Sequence, residues 1–226
     1  MFDRFKKRSI ELERLDTGDY TPAEYRRWQW EMRFVHRLFG EMRALRNTLF
    51  RDLKASGEER VSILDVGAGS GELLRELSKW TANQKAFLVG VEINREATLS
   101  IKSETIAAVR CDALQLPFPD DSFDYAFCSL FLHHLADDAA VDLLKEMSRV
   151  ARKRIYAIDL NRHPTAYYFY NIVGRIFLQR FTLEDGSLSI LRSRVPEELL
   201  NLGRSAGLND IKVERSKANR LVLSGC

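Results

Sequence analysis

A chain of 226 residues, 45% hydrophobic and 30% charged, has the composition of an ordinary globular domain and enough length for one large core with an added arm. Its net charge of +3 is too small to argue for a nucleic-acid partner. The three cysteines, Cys111, Cys128 and Cys226, show neither metal-ligand spacing nor a disulfide framework, and no apolar run reaches the ~18 residues of a membrane span. The start, Met1 to Arg8, lacks the apolar stretch of a secretory signal. A cytoplasmic protein with no metal and no stable membrane insertion is the expectation.

Residues 1–57 read as an N-terminal helical arm. Phe2 to Arg8 is short, basic and dotted with aromatics; a frayed, solvated terminus is the expectation, with weak contact to an anionic membrane surface as the functional alternative. Thr21-Pro-Ala-Glu24 is a capping box with proline at the first helical position. Trp28, Met32, Val35, Leu38, Phe39, Met42, Leu45 and Leu49 follow at helical spacing, with a break available at Gly40. The polar residues beside this stripe, Arg33, His36, Arg37 and Arg43, are placed to reach a ligand.

Val61 to Leu77 reads as a buried strand, a glycine turn and the opening of a helix. Gly67, Gly69 and Gly71 alternate with Ala68 and Ser70, which lets a ligand lie against the backbone, and the helix opening at Glu72 directs free N–H groups at it. Nicotinamide and flavin enzymes use such turns too. Asp65, two residues before the first glycine, would repel a pyrophosphate and attract an ammonium or sulfonium group. Asp-Val-Gly-Ala-Gly-Ser-Gly therefore resembles the first motif of the class I S-adenosylmethionine-dependent methyltransferases, with a methyltransferase domain of type 11 or 25 as the nearest kind. The resemblance implies S-adenosyl-L-methionine as cofactor, and an α/β, Rossmann-like three-layer sandwich. Its seven-stranded sheet would be mostly parallel with an antiparallel last strand, over residues 58–226. Many small-molecule methyltransferases of this class carry N-terminal helices as a lid, which gives residues 1–57 a role.

Further along, Phe87–Glu92 is a second strand ending in a carboxylate suited to ribose hydroxyls, with Ile93 flanking an adenine ring and Asn94 capping the next helix. A surface glutamate is the bland reading of Glu92. Thr105–Arg110 is a third strand. The resemblance implies that Asp112 accepts from the adenine amino group and that Ala113 serves the ring nitrogen. Leu116 to Asp124 carries nearly all of a family pattern, and Ser122–Ser129 is a fourth strand whose closing Ser129 is counted with the cofactor-binding residues. His133 and His134 follow it. Adjacent residues do not share a helical face, so at most one is expected at the substrate, and the resemblance favours His134. Buried, structurally bonded histidines are the competing reading.

Asp137 and Asp138 are expected to cap a helix bearing Val141, Leu144, Met147 and Ala151 on one face. The fifth strand, Ile155–Asp159, leads into Asp159-Leu-Asn-Arg162-His163, where Asp159 and His163 are candidate bases and Arg162 a candidate cation; a salt-bridged turn is the alternative. Residues at about 164–182 form an inserted aromatic helix, Thr165–Phe181, expected to roof an apolar pocket or simply to pack in the core. Pro196 to Gly207 is a helix, and the last two strands, Asn209–Arg215 and Arg220–Ser224, are an antiparallel hairpin. Asp-Leu-x-Arg, the aromatic helix and Leu183–Ser189 together resemble, more loosely, small bacterial methyltransferases encoded beside type III polyketide synthases. This resemblance implies methyl transfer to a small phenolic or polyketide-like acceptor, as O-methylation. A quinone-pathway C-methyltransferase, a nicotinamide oxidoreductase and a non-catalytic S-adenosylmethionine-binding protein remain the alternatives.

Overall fold

The computed structural model describes residues 3–38 and 40–226, with only the backbone over 33–38. Phe2, Phe39 and the side chains of Arg33, Val35, His36, Arg37 and Leu38 therefore lie outside the described residues. Seven strands form one sheet in the order β3-β2-β1-β4-β5-β7-β6. They are β1 (Arg60–Val66), β2 (Lys85–Glu92), β3 (Ile106–Arg110), β4 (Phe123–Ser129), β5 (Ala151–Leu160), β6 (Lys212–Ser216) and β7 (Arg220–Gly225). The first five run parallel, and β7 runs antiparallel to both β5 and β6. The expected sandwich with an antiparallel last strand is what forms. Strand order reverses at β1, so the carboxyl ends of β1 and β4 open a crevice there.

The period of two along β1 decides the layers. Leu64 and Val66 face the helices α7 (Asp137–Val150) and α10 (Pro196–Ser205), in a core with Cys128, Leu144, Met147 and Leu199. Val61 and Ile63 face α5 (Glu72–Trp80), α6 (Arg95–Ile101) and the arm. The arm consists of α1 (Arg14–Thr17), α2 (Pro22–Leu38), α3 (Glu41–Asn47) and α4 (Leu49–Ser56). The Thr21–Glu24 capping box forms, with Thr21 N donating to Glu24 Oε2 (2.8 Å) and Glu24 N to Thr21 Oγ1 (3.2 Å). The helix breaks at Gly40 and again at Thr48.

A cut at residue 57 would not separate an arm from an intact domain. Leu45, Leu49 and Leu53 are 0–1% exposed and complete the core against Tyr125, Phe127 and Tyr156. Tyr156 donates to Asp52 of α4 (2.6 Å), and Arg220 Nε donates to the buried Glu41 (2.9 Å). Removing three such leucines would cost several kcal/mol, at roughly 2–5 kcal/mol each.

Two other expectations change. Phe5 is buried, Ser9 N donates to Leu191 O (3.0 Å), and Asp185 accepts from Arg14 N and Leu15 N (2.9 Å each), so residues 5–16 are a docked strap, not a frayed end. The single helix 165–181 is two, α8 (Pro164–Phe177) and α9 (Arg180–Arg192), and α9 absorbs Leu183–Ser189. Leu178 and Gln179 between them are extended. Gln179 N donates to Glu31 (3.0 Å) and its side-chain amide to Glu24 O (2.9 Å), so α2 satisfies groups the interrupted helix leaves open. Smaller shifts are at element ends: Asp137 and Asp138 sit in the first turn of α7, after Ala136 as N-cap, and β5 starts at Ala151.

Candidate active site

The glycine turn caps the crevice end of β1. Gly67 N and Ala68 N both donate to Val91 O (3.0 Å), which pins the turn to β2. Gly67, Gly69 and Gly71 all have positive φ. A Cβ on Gly67 would press the Phe131 ring at 3.1 Å, while one on Gly69 would meet nothing within 4 Å: the open side of the cradle is over Gly69. Glu92 reaches this turn, accepting from Gly69 N (3.1 Å) and Asn94 N (3.0 Å). Ile93 beside it is 63% exposed. Asp112 is exposed and accepts from Leu114 N (2.9 Å), with Ala113 next to it half-buried.

Asp65 is buried and its carboxylate accepts no hydrogen bond from a described residue; burial, and then the neighbouring Glu92 carboxylate, pushes its pKa well above the usual range. Ser129, at the end of β4, has a buried hydroxyl without a partner among the described residues. Two carboxylates, an orphan hydroxyl and an open glycine face suit a ligand that brings an ammonium group and ribose hydroxyls, which is the chemistry of an adenosyl amino acid.

The second cluster stands across β4. Asp159 ends β5 with 2% exposure, and His133 lies in a 3-10 turn, Leu132–His134. His133 N donates to Asp159 Oδ2 (2.8 Å), and its ring Nδ1 meets Oδ1 at 2.7 Å. Burial works to raise the Asp159 pKa; the His133 charge and the hydrogen bonds from His133 and Leu160 outweigh it and hold the group below the usual range. In the neutral ring with Nδ1–H on the carboxylate, Nε2 would be the nitrogen left to accept a proton. Buried Cys128 lies near both Asp159 and Asp65; burial pushes its thiol up, and each carboxylate adds to the shift.

His133 therefore meets Asp159, while His134, the residue the resemblance favours at the substrate, does not. His134 instead pairs through Nδ1 with Asp16 of the strap (3.0 Å), and its ring lies 4.1 Å from that of His133. His163 caps α8 by accepting from Thr165 N (3.3 Å) and is exposed. Arg162 is 3% exposed and donates to both Glu198 oxygens (2.7 and 2.9 Å), Ser193 O (2.8 Å) and Phe5 O (3.0 Å). A guanidinium so tied spends four of its five N–H donors joining β5 to α10 and the strap.

The strap supplies groups that no local spacing announced. Glu13 is buried, with Oε1 3.9 Å from His133 Nε2, 4.0 Å from His134 Nδ1 and 3.4 Å from the buried Arg192. Burial pushes the Glu13 carboxyl up to about 7, against the pull of His134 and Arg192. Ligand atoms of Glu13, His133 and His134 all lie within 4.8 Å of one another. The Arg192 guanidinium, bonded also to Asp16, already supplies the fixed cation at this cluster, which disfavours adding a divalent one. Arg8 donates to the carbonyls of His133 (2.8 Å), Leu135 (2.7 Å) and Arg192 (2.6 Å), tying the strap to the histidine turn. Above, Tyr20 stacks on Tyr25 (5.2 Å) and Phe181 (5.4 Å), Tyr25 on Trp28 (5.6 Å), and Arg14 lies over Phe181 (4.9 Å). The Tyr25 hydroxyl is shifted up by burial first, with smaller contributions from Tyr20 and Glu92.

Comparison with known proteins agrees with this fold. The family model described as a methyltransferase domain matches residues 63–154, from β1 into β5. The chain is 33% identical over 167 residues to the demethylmenaquinone methyltransferase of Roseiflexus sp. (strain RS-1), covering 66% of this chain and 68% of that one. The chain belongs to the class I S-adenosylmethionine-dependent methyltransferases. This methyltransferase is also 26% identical over 195 residues to the ubiquinone biosynthesis O-methyltransferase of Aeromonas salmonicida (strain A449), over 80% of this chain and 76% of that one. A solved structure from Thermotoga maritima, described as a possible histamine N-methyltransferase, shares the fold with a TM-score of 0.62 at 18% identity, over 87% of this chain and 94% of that one. No helix among the described residues is long and apolar enough to cross a membrane.

Proposed function

We propose that this methyltransferase modifies a small, apolar aromatic acceptor bearing a ring hydroxyl, and that His133, oriented by Asp159, removes the hydroxyl proton. The observation that carries the reading is the buried His133–Asp159 pair, which joins the turn after β4 to the carboxyl end of β5. Asp65, Gly69, Glu92 and Ser129 would hold the amino-acid and ribose parts of the cofactor, with Ile93, Asp112 and Ala113 at the adenine. S-adenosylmethionine bound there supplies an electrophilic methyl group on a sulfonium. A phenol, with a pKa of about 10, is a poor nucleophile at neutral pH, and a positioned base contributes ~10²–10⁴ in rate. His133 Nε2 accepts the proton, and Asp159 fixes the tautomer and stabilises the resulting imidazolium. Glu13, with its pKa near 7, is poised to donate or accept a hydrogen bond beside Nε2. The aromatic wall from α2 and Phe181 suits a flat apolar ring, and α2 serves as the lid over the cradle.

O-methylation is the first reading. The similarity to a demethylmenaquinone methyltransferase favours a second, methylation at a ring carbon of a quinol, for which the same deprotonated hydroxyl activates the ring. The looser likeness to the polyketide-associated enzymes points to phenolic lipids, which fall in the same chemical class. Turnover of S-adenosylmethionine with a panel of alkylphenols and quinols, followed by mass spectrometry and NMR of the product, tests this. An O- or C-methylated aromatic is the expected product; activity confined to amines, protein or RNA would overturn it.

A further inference from the structure

The helix α8 presents its apolar side outward. Phe169, Ile172, Ile176 and Phe177 are 57%, 67%, 73% and 66% exposed, while Gly174 on the opposite side is buried against α9. At 100° per residue, Phe169, Ile172 and Ile176 fall within roughly 60° of one another, so they form one continuous stripe. Tyr170 by contrast turns inward, donating to Thr182 O (2.8 Å). The aromatic helix expected to roof the pocket thus leaves its own apolar stripe facing solvent. Four large exposed apolar side chains on one 14-residue helix call for a partner.

Basic residues stand at both ends of α8. Arg175 borders it, and Arg180 follows on the next helix with its side chain 88% exposed. The docked N-terminal turn adds Arg4, Lys6 and Lys7 at the other end of α8: Arg4 donates to the Tyr167 hydroxyl (2.9 Å), and Phe5 packs edge-on against Tyr167 (5.5 Å) and Tyr168 (6.1 Å). Segments 3–7 and 164–184 hold five cations against two carboxylates, Asp3 and Glu184, each already paired with Lys6 or Arg180.

We infer that α8 and the basic turn docked on it form a membrane-surface site, which rests the stripe of Phe169, Ile172, Ile176 and Phe177 in the interface of an anionic lipid bilayer. Apolar side chains on one face with cations at the margins are the pattern of a helix lying in the plane of the bilayer surface, and charge complementarity selects anionic lipid over a neutral apolar partner. This goes beyond the proposed reaction, since it concerns where the protein works and not what it methylates.

Co-sedimentation of the full chain with vesicles of phosphatidylcholine, alone or mixed with phosphatidylglycerol, tests the site. The protein is expected to pellet with the anionic vesicles, to do so less with neutral ones, and to be released by added salt. The double variant Ile172→Asp/Ile176→Asp should lose at least ~10-fold in vesicle affinity with an unchanged unfolding midpoint, because both side chains are already in solvent. Lys6→Glu/Lys7→Glu should weaken binding to anionic vesicles while leaving the residual binding to neutral ones. Protein that stays in the supernatant with anionic vesicles would overturn the inference. So would sedimentation velocity showing a dimer that Ile172→Asp/Ile176→Asp converts to monomer, since the stripe would then be covered by a second copy.

Discussion

The cofactor cradle and the histidine cluster are built in opposite ways. The cradle comes from a short run of chain: Asp65 to Gly71 and Glu92 to Asn94 make most of it, and its hydrogen bonds join β1 and β2 directly. The histidine cluster draws on residues 8–16, 133–134, 159 and 192, and its contacts cross more than a hundred residues. The first is rigid by backbone pairing. The second is assembled by ion pairs around Arg8 and Arg192 and depends on the strap staying docked.

That contrast makes the two regions separable by substitution. The largest effect is expected from Gly69→Val, which fills the open side of the cradle and places a β-branched residue at φ +53°. Binding of S-adenosylhomocysteine, followed by calorimetry, should vanish while the sheet remains folded. Arg192→Met should do the reverse. It leaves Glu13 and Asp16 without their cation and should destabilise by roughly 3–5 kcal/mol, as when one partner of a buried pair is removed, while cofactor affinity stays within a few-fold. Chemical denaturation beside calorimetry reads both quantities; equal loss of cofactor binding in Arg192→Met would merge the two regions into one.

Protonation sharpens the comparison further. Glu13 is raised from 4.5 to about 7 in the folded protein, so the proton it holds favours the fold. This stabilisation is fully present below about 4.5 and is lost as the pH rises through about 7. Over that window the integrated effect is on the order of 3 kcal/mol. Glu13→Gln should flatten the pH dependence of stability between those limits relative to the parent chain; parallel curves would show that the strap carboxyl is not buried as described. A smaller effect is expected from Glu92→Ala. Losing hydrogen bonds to a charged group should weaken S-adenosylhomocysteine by roughly 1.5–3 kcal/mol, with little change in the histidine cluster's pH profile.

The same contrast explains what was legible in the sequence. Asp65, the glycines and Glu92 could be read because a strand, a turn and a helix start fix their positions within a few residues, and the terminal hairpin followed from a short polar connection. Asp159 was placed correctly at a strand end, but its pairing with His133 was not legible: neighbours His133 and His134 differ only in which way a 3-10 turn directs each ring, and that is decided by Asp159 and Asp16, both distant in sequence. Arg162 looked like a free cation over the crevice because Glu198, which holds it, lies 36 residues away. Phe2 to Arg8 was read as a solvated end because its charges suggested water, whereas half-buried Arg8 is bonded to the carbonyls of Arg192 and the histidine turn, and Glu13 further along the strap is buried against Arg192. The outward stripe of α8 carries the same spacing as a core helix, so periodicity alone could not tell which side the rest of the molecule would cover.

The most direct measurement of the central claim, that the buried His133–Asp159 pair serves the acceptor and not the cofactor, is to compare His133→Ala with His134→Ala in turnover of a phenolic acceptor and in calorimetry with S-adenosylhomocysteine. The account predicts that His133→Ala lowers kcat by ~10²–10⁴ with cofactor affinity intact, and that His134→Ala slows turnover by less than ~10-fold. A His133→Ala enzyme that turns over at the parent rate, or a larger loss in His134→Ala, would contradict it.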